Sequence, residues 1–272
     1  SAGRVQSPAL RLVVDREIEI EKFKSEEYWT ISSDFKDENG SLIKANLSMV
    51  NNEKVEKFSF KDSDTTNITA NELEQKEYHV TSVTSQKRNR NPYAPFTTST
   101  LQQSASTNLK ISPRDVMSTA QKLYEAGLIT YMRTDGIEMA PEGISSARNQ
   151  ISASLGETYL PEKPRVFKNK AKNAQEAHEC IRPTDFSKTP ENAKNLNKSE
   201  LDLYGLIWKR ALASQARAAE VLQTTVLISS ICNSAQFRLS GQVVTFEGHL
   251  KIFQDTKKED DEKRIPDIKE KS

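Results

Sequence analysis

The stretch Thr130-Tyr131-Met132-Arg133-Thr134-Asp135 brings together a phenol, a guanidinium and short hydroxyl and carboxylate groups. That is a set suited to nucleophilic attack on a phosphodiester. A phenol has a pKa near 10, so it attacks poorly at neutral pH unless a cation stabilises the phenolate. Arg133, two residues on, projects to the same side as Tyr131 if the backbone is extended. Its planar fork can hold a phosphate through paired hydrogen bonds and offset charge in a pentacoordinate transition state. Thr130, Thr134 and Asp135 add hydrogen-bonding groups around the pair. A core tyrosine beside a surface arginine fits the same spacing, so this segment alone does not decide.

Three more segments carry compatible chemistry. In Glu176-Ala177-His178-Glu179-Cys180-Ile181-Arg182-Pro183-Thr184, His178 and Arg182 are suited to binding phosphate and moving a proton near neutral pH. A zinc reading fails there, because the His-Glu-Cys spacing has no second ligand pair. Ser1-Ala2-Gly3-Arg4-Val5-Gln6-Ser7 feeds a glycine turn into a helix start, where backbone N–H groups meet anions and Arg4 and Gln6 add contacts to phosphate or base. The hydroxyl-rich run from Ala94 to Gln103 suits a sugar-phosphate backbone, and capping by Thr97 or Thr98 is the plainer account.

The elements that must position these groups follow from periodicity. Ser7-Pro8 predicts a helix start, with Ser7 as cap, and Leu10, Val14 and Ile18 form an apolar stripe running to about Phe23. Tyr28–Ile31 and Leu42–Val50 are expected as strands joined through a turn at Glu38-Asn39-Gly40, and Tyr78–Val83 as another strand after a short helix over Ala70–Lys76. Helices are predicted over Thr98–Leu109, Pro113–Ala126 (stopped by Gly127), Pro141–Leu155 and Ser199–Ala216 (capped by Ser199), with a loop over Pro161–Asn173. Leu128–Met132 reads as a short buried strand or turn. Strands return at Thr224–Ile231, at Gln236–Leu239 and, across a turn at Gly241, at Val243–Glu247; Lys257–Lys263 reads as a charged loop. The fold class expected is α+β: a mainly helical domain inserted into a β-rich one.

The 272 residues suffice for one large or two ordinary domains. The 39 basic and 38 acidic residues cancel to +1, so net charge names no partner. Basic residues cluster locally over Gln86–Asn91 and Arg165–Lys172, a footprint for a polyanion or simply solvated loops. No apolar run approaches the roughly 20 residues of a membrane span, and two cysteines are too few for a disulfide scaffold. Both ends read as cut, as in an excised fragment.

In their order and spacing these segments resemble the type IA DNA topoisomerases, the bacterial ones above all. The likeness is carried by SAGRVQSPALRLVVDR (Ser1–Arg16), APFTTSTLQQSAS (Ala94–Ser106), AQKLYEAGLITYMRTD (Ala120–Asp135) and QEAHECIRPT (Gln175–Thr184). It implies that Tyr131 becomes joined to a DNA 5′-phosphate, that Arg133 positions the scissile phosphate and that His178 assists electrostatically or with a proton. It further implies that Ser1, Ala2, Gly3, Arg4, Val5 and Gln6, with Thr134, Asp135 and Arg182, contact DNA. Gly136 and Cys180 stand where the family often has Ser and Ala, and Cys180 is flagged for thiol sensitivity.

The activity implied is ATP-independent relaxation of negatively supercoiled DNA, by transient cleavage of one strand and passage of the other. Mg²⁺ is expected on the family's toprim domain, absent from these residues, so no metal is expected in this chain and no relaxation from it alone. The implied architecture places a helix of a further DNA-binding domain at 1–26, halves of a β hinge domain at 27–90 and 219–272, and the helical catalytic-tyrosine domain at 91–218, all part of a toroid. A monomer, single-stranded DNA as partner, no membrane, and a cytoplasmic, nucleoid-associated location are implied as well. A relaxase is disfavoured by three scattered histidines. A single-strand-binding module without chemistry, topoisomerase III and reverse gyrase remain the alternatives.

Overall fold

The computed structural model describes residues 3–36, 40, 42–168 and 179–254. Its first helix, α1 (Gln6–Lys22), follows Val5, which offers no side-chain cap. Ser7 is therefore not the cap expected; it lies inside the helix, its N–H donating to Gly3 O at 3.2 Å. None of α1 is buried, and the stripe of Leu10, Val14 and Ile18 is exposed.

Tyr28–Ile31 is not a strand. It is extended chain, held by Trp29 N–H donating to Phe60 O at 2.9 Å. The Tyr28 ring meets Phe58 edge-on at 5.9 Å and Lys57 Nζ at 4.7 Å, so its partners are loop residues, not a neighbouring strand. Pairing begins at β1 (Ser32–Lys36), which runs antiparallel to β2 (Leu42–Val50) from Ser32 opposite Asn46 to Lys36 opposite Leu42. Gly40 between them has φ +83°, a value glycine adopts without strain, while Glu38 and Asn39 of the expected turn lie outside the described residues. Ile43, Ala45 and Leu47 of β2 are buried at alternate positions, the pattern of a strand with one face on a core. After the short β3 (Glu53–Lys54), α2 (Ser63–Glu74) starts well before the expected Ala70. Its start is set by Asp62, whose carboxylate accepts from Thr65 N–H at 2.8 Å. β4 (Tyr78–Arg90) runs past the expected Val83 and carries the first basic cluster.

Helices follow: α3 (Thr98–Leu109), α4 (Pro113–Glu125), α5 (Pro141–Leu155) and α6 (Lys198–Ser214). The α6 cap is Asn197, accepting from Glu200 N–H in a capping box, two residues earlier than the expected Ser199. Two long strands follow, β5 (Ala219–Ser230) and β6 (Ala235–Phe246). The turn expected at Gly241 does not exist: the glycine sits inside β6, whose backbone continues unbroken. The sheet order is β1-β2-β6-β5-β4, with β3 on β2.

The described residues divide into two compact units, with the boundary falling inside β4, β5 and β6. One, the β-rich unit, holds residues up to Thr84 and Thr225–Leu239. Its core includes Ile43, Leu47, Leu73, Val80 and Phe237, with Phe35, Tyr78 and Phe237 meeting edge-on at 5.1–5.5 Å. The other, the helical unit, runs over Ser85–Thr224 and resumes at Ser240. Leu101, Val116, Ala120, Leu123, Ala147, Ile151, Leu203 and Ile207 meet in its core. The expected α+β class, helical insert between β segments, is the one observed.

Candidate active site

The helical core holds a short irregular segment at its surface. After α4, Gly127 takes φ +68° and reverses the chain, the left-handed position where glycine is favoured. The segment from Leu128 is then tied to 180–184. Thr130 N–H donates to Arg182 O at 2.9 Å and Thr184 N–H to Leu128 O at 3.0 Å. The Thr130 hydroxyl donates to Cys180 O at 2.7 Å and accepts from Arg182 N–H at 2.9 Å. Ile129 pairs with Pro183, and Phe96 with Ile181, as isolated bridges.

Along this segment exposure alternates. Tyr131, Arg133 and Asp135 face out, whereas Met132, Thr134 and Gly136 are buried. Tyr131 and Arg133 thus both reach solvent, although the backbone bends at Met132 and Arg133 and is not the extended strand expected from the spacing. Tyr131 is 48% exposed, its ring edge-on to Tyr124 at 5.2 Å. Arg133 lines a shallow groove of about 400 Å³ with Thr98, Ser99, Gln102, Thr134 and Asp135. The phenol is half-exposed and the guanidinium lines an open groove, so both are accessible from solvent.

Other candidate residues fall elsewhere. His178 lies outside the described residues, as do Ser1 and Ala2. Gly3, Arg4, Val5 and Gln6 belong to the β-rich unit, Arg4 to Gln6 being exposed. Thr134 is buried, its hydroxyl accepting from Gly136 N–H at 2.9 Å, so in this structure it shapes the loop. Arg182 departs furthest from a DNA contact. It is 5% exposed, donating to Glu179 at 2.5 Å and to Pro183 O at 2.9 Å, with Glu142 at 3.7 Å. Glu179 also accepts from Ala140 N–H at 2.9 Å. A Cβ on Gly143 of α5 would stand 2.6 Å from Arg182 Nε, so only glycine lets the helix lie against the guanidinium. Arg182 therefore clamps the 179–184 segment and presents no donor to a groove. Tyr124, Glu179 and Gly143 were not assigned a role from sequence, and Thr98 was read only as a possible cap, a role that Thr97 takes.

Cys180, flagged for thiol sensitivity, is fully buried, and burial together with Glu179 pushes its thiol up to about 12. It is an inert core thiol. Exposed Cys232, whose pKa is lowered to about 7 by hydrogen bonds with Ser234 and Ser230, is the reactive one. Among the described residues no group of three or more His, Cys, Asp or Glu is placed to hold a metal ion.

A cavity of about 300 Å³ elsewhere in this unit is lined by Arg90, Asn91, Tyr93, Arg210, His249 and Phe253, among others. His249 is 5% exposed and its Nδ1 has no partner. Burial, then Arg165, Arg90 and Arg210, push its pKa down to about 4. The folded protein thus binds this proton less readily than the unfolded chain. Its stabilising contribution is full above the ordinary value of about 6.5 and is lost as pH falls toward 4. By pH 5 the loss is expected to be about 1–2 kcal/mol, a drop in unfolding midpoint of roughly 3–6 °C. His249→Phe should lack that component; equal pH 7 to 5 drops in variant and wild type would refute it.

The family described as DNA topoisomerase matches residues 1–272. The chain is 42% identical to DNA topoisomerase 1 of Rickettsia felis, covering 99% of this chain and 36% of that protein. It is 45% identical to DNA topoisomerase 1 of Zymomonas mobilis, covering 94% and 21%. Among solved structures, full-length topoisomerase I of Thermotoga maritima matches with TM-score 0.78 and 31% identity, over 100% of this chain and 43% of that one. The chain thus spans well under half the length of these relatives.

Proposed function

This chain belongs to the DNA topoisomerase family, in its type IA branch, and from that premise we propose that Tyr131 is the residue that breaks and holds DNA. The phenol oxygen attacks a backbone phosphate of a single-stranded segment. The 3′-oxygen leaves with a proton, and a 5′-phosphotyrosine retains the energy of the broken diester, so resealing needs no ATP. Arg133 holds the phosphate and offsets the charge gathering on its oxygens, with His178 as the proposed electrostatic or proton-transfer partner. Passage of the other strand while the break is open changes linking number and relaxes negative supercoils.

The observation that carries this reading is the alternation at 131–135, which sends Tyr131 and Arg133 outward together from a rigid core. The β-rich unit is the proposed hinge by which the gate opens within a toroid. Mg²⁺ in the intact enzyme is assigned to the toprim domain, and no step here is routed through it. Residues 1–272 on their own are proposed not to relax DNA. The enzyme is read as a cytoplasmic monomer; no helix among the described residues is long and apolar enough to cross a membrane.

The test is direct. A full-length protein that includes the toprim domain is mixed with a labelled single-stranded oligonucleotide, trapped with denaturant and digested. The labelled peptide is expected to carry the 5′-phosphate on Tyr131; finding it on another residue overturns the assignment.

A further inference from the structure

Strand order and helix packing do not fix the segment that carries Tyr131, because its backbone lies outside the named strands. Downstream of the tyrosine it is held largely by one side chain. Thr98 Oγ1 lies 2.8 Å from Met132 O and 3.1 Å from Thr134 O, and it accepts from Thr134 N–H at 2.9 Å. The Thr98 backbone N–H also donates to Thr134 O at 2.9 Å. A hydroxyl has one proton and two lone pairs. Here that proton is shared between the two carbonyls while a lone pair takes the amide. Met132 O and Thr134 N–H belong to the two peptide groups on either side of Arg133, and Thr134 O to the next one along.

The neighbouring threonine explains why this hydroxyl is available. Thr97 caps α3, accepting from Thr100 N–H, and the Thr100 side chain answers the Thr97 backbone. The helix end is thus satisfied without Thr98. From the rigid first turn of α3, Thr98 reaches across to a loop distant in sequence. It also lines the groove that holds Arg133.

We propose that Thr98 is a positioning residue for strand cleavage: its hydroxyl locks the peptide groups flanking Arg133 and so fixes where the guanidinium meets the scissile phosphate. The inference rests on the assignment of Tyr131 and Arg133 above. It assigns Thr98 no contact with DNA, since its proton and an acceptor site are committed within the protein. A shift of about 1 Å in a group that orients a reacting centre costs on the order of 100-fold in rate. Loss of this bridge should therefore slow the chemistry while leaving binding alone.

The test uses the full-length protein and a labelled single-stranded oligonucleotide. It reads covalent adduct formation at saturating oligonucleotide, the Kd for the oligonucleotide, and the unfolding midpoint. Thr98→Val is expected to slow adduct formation roughly 10- to 100-fold, with Kd within about 2-fold of wild type. Thr98→Ser, which keeps the hydroxyl, should recover to within about 3-fold of wild type. If Thr98 acts through Arg133, adding Thr98→Val to Arg133→Ala should slow the reaction little further, a coupling that a general packing defect would not produce. Thr98→Ala repeats the comparison if the valine variant folds poorly.

A full adduct rate in Thr98→Val, a serine variant as slow as valine, or a double variant showing the full product of both losses would each overturn the proposal. Weakened binding with an unchanged rate would also overturn it, in favour of a direct DNA contact. Failure of the underlying reading is separable, because in that case Tyr131→Phe would still form the adduct.

Discussion

Tyr131→Phe in the full-length protein is expected to abolish the covalent protein–DNA adduct, a loss of at least about 10⁴-fold by analogy with removal of other enzymatic nucleophiles. The substitution removes one oxygen and leaves the ring. Because that ring packs edge-on against Tyr124 at 5.2 Å, phenylalanine should sit in the same place. Oligonucleotide affinity is then expected to stay within about 3-fold, since phosphate contacts dominate such binding. The combination discriminates between readings. A single-strand-binding module predicts at most lost stacking and no adduct in either protein. The measurement is the fraction of labelled oligonucleotide that stays with the protein through denaturing electrophoresis. An adduct in the variant at more than about a thousandth of the wild-type yield would contradict this prediction.

The largest effect on stability is expected at Arg182. Its guanidinium is buried, paired with Glu179 at 2.5 Å and fitted against Gly143. Removing one partner of a buried ion pair typically costs about 3–5 kcal/mol. Here the carboxylates are partly exposed, with side chains 31% and 76% accessible for Glu179 and Glu142, so water can take back part of their charge. Arg182→Ala is therefore expected to cost about 2–4 kcal/mol and to lower the unfolding midpoint by roughly 6–12 °C. Lysine should not restore it, because an ammonium cannot reproduce the planar fork that reaches both Glu179 and Pro183 O. Gly143→Ala should move the midpoint the same way, its methyl group falling on Arg182 Nε. A calorimetric midpoint for Arg182→Ala within about 2 °C of wild type would show that the clamp is not structural.

Much of the helical unit could be read from the sequence because its information is local. The apolar positions Val116, Ala120 and Leu123 recur at helical spacing and are fully buried together. The β-rich unit was harder to read, since a strand depends on neighbours far away in sequence. Tyr28–Ile31 had strand-like residues, yet Tyr28 found its partners in a loop. Gly241, just after the helical unit resumes at Ser240, looked like punctuation but lies inside β6. At the site, the solvent exposure of Tyr131 and Arg133 follows the sequence pattern, while their roles rest on the resemblance. The Thr98 bridge and the Arg182 clamp could not be read from the sequence, because a hydroxyl near a helix start and an arginine in a charged motif advertise solvent contacts. Burial alone turns Arg182 from a ligand-binding group into a fastener, and burial at such a position is decided by Gly143, far along the chain.

The two-residue rhythm at 131–136 also makes this stretch sensitive to length as well as identity. Each position is assigned inward or outward by parity, with Met132 and Thr134 filling the interior while Tyr131 and Arg133 look out. One residue added between Tyr131 and Arg133 would leave the tyrosine facing outward and turn the guanidinium into the core, where its charge has no answer. Two added residues would restore the parity but put more chain between the guanidinium and the phenol. Substitutions can be absorbed here one side chain at a time, but the spacing between phenol and guanidinium is a fixed count.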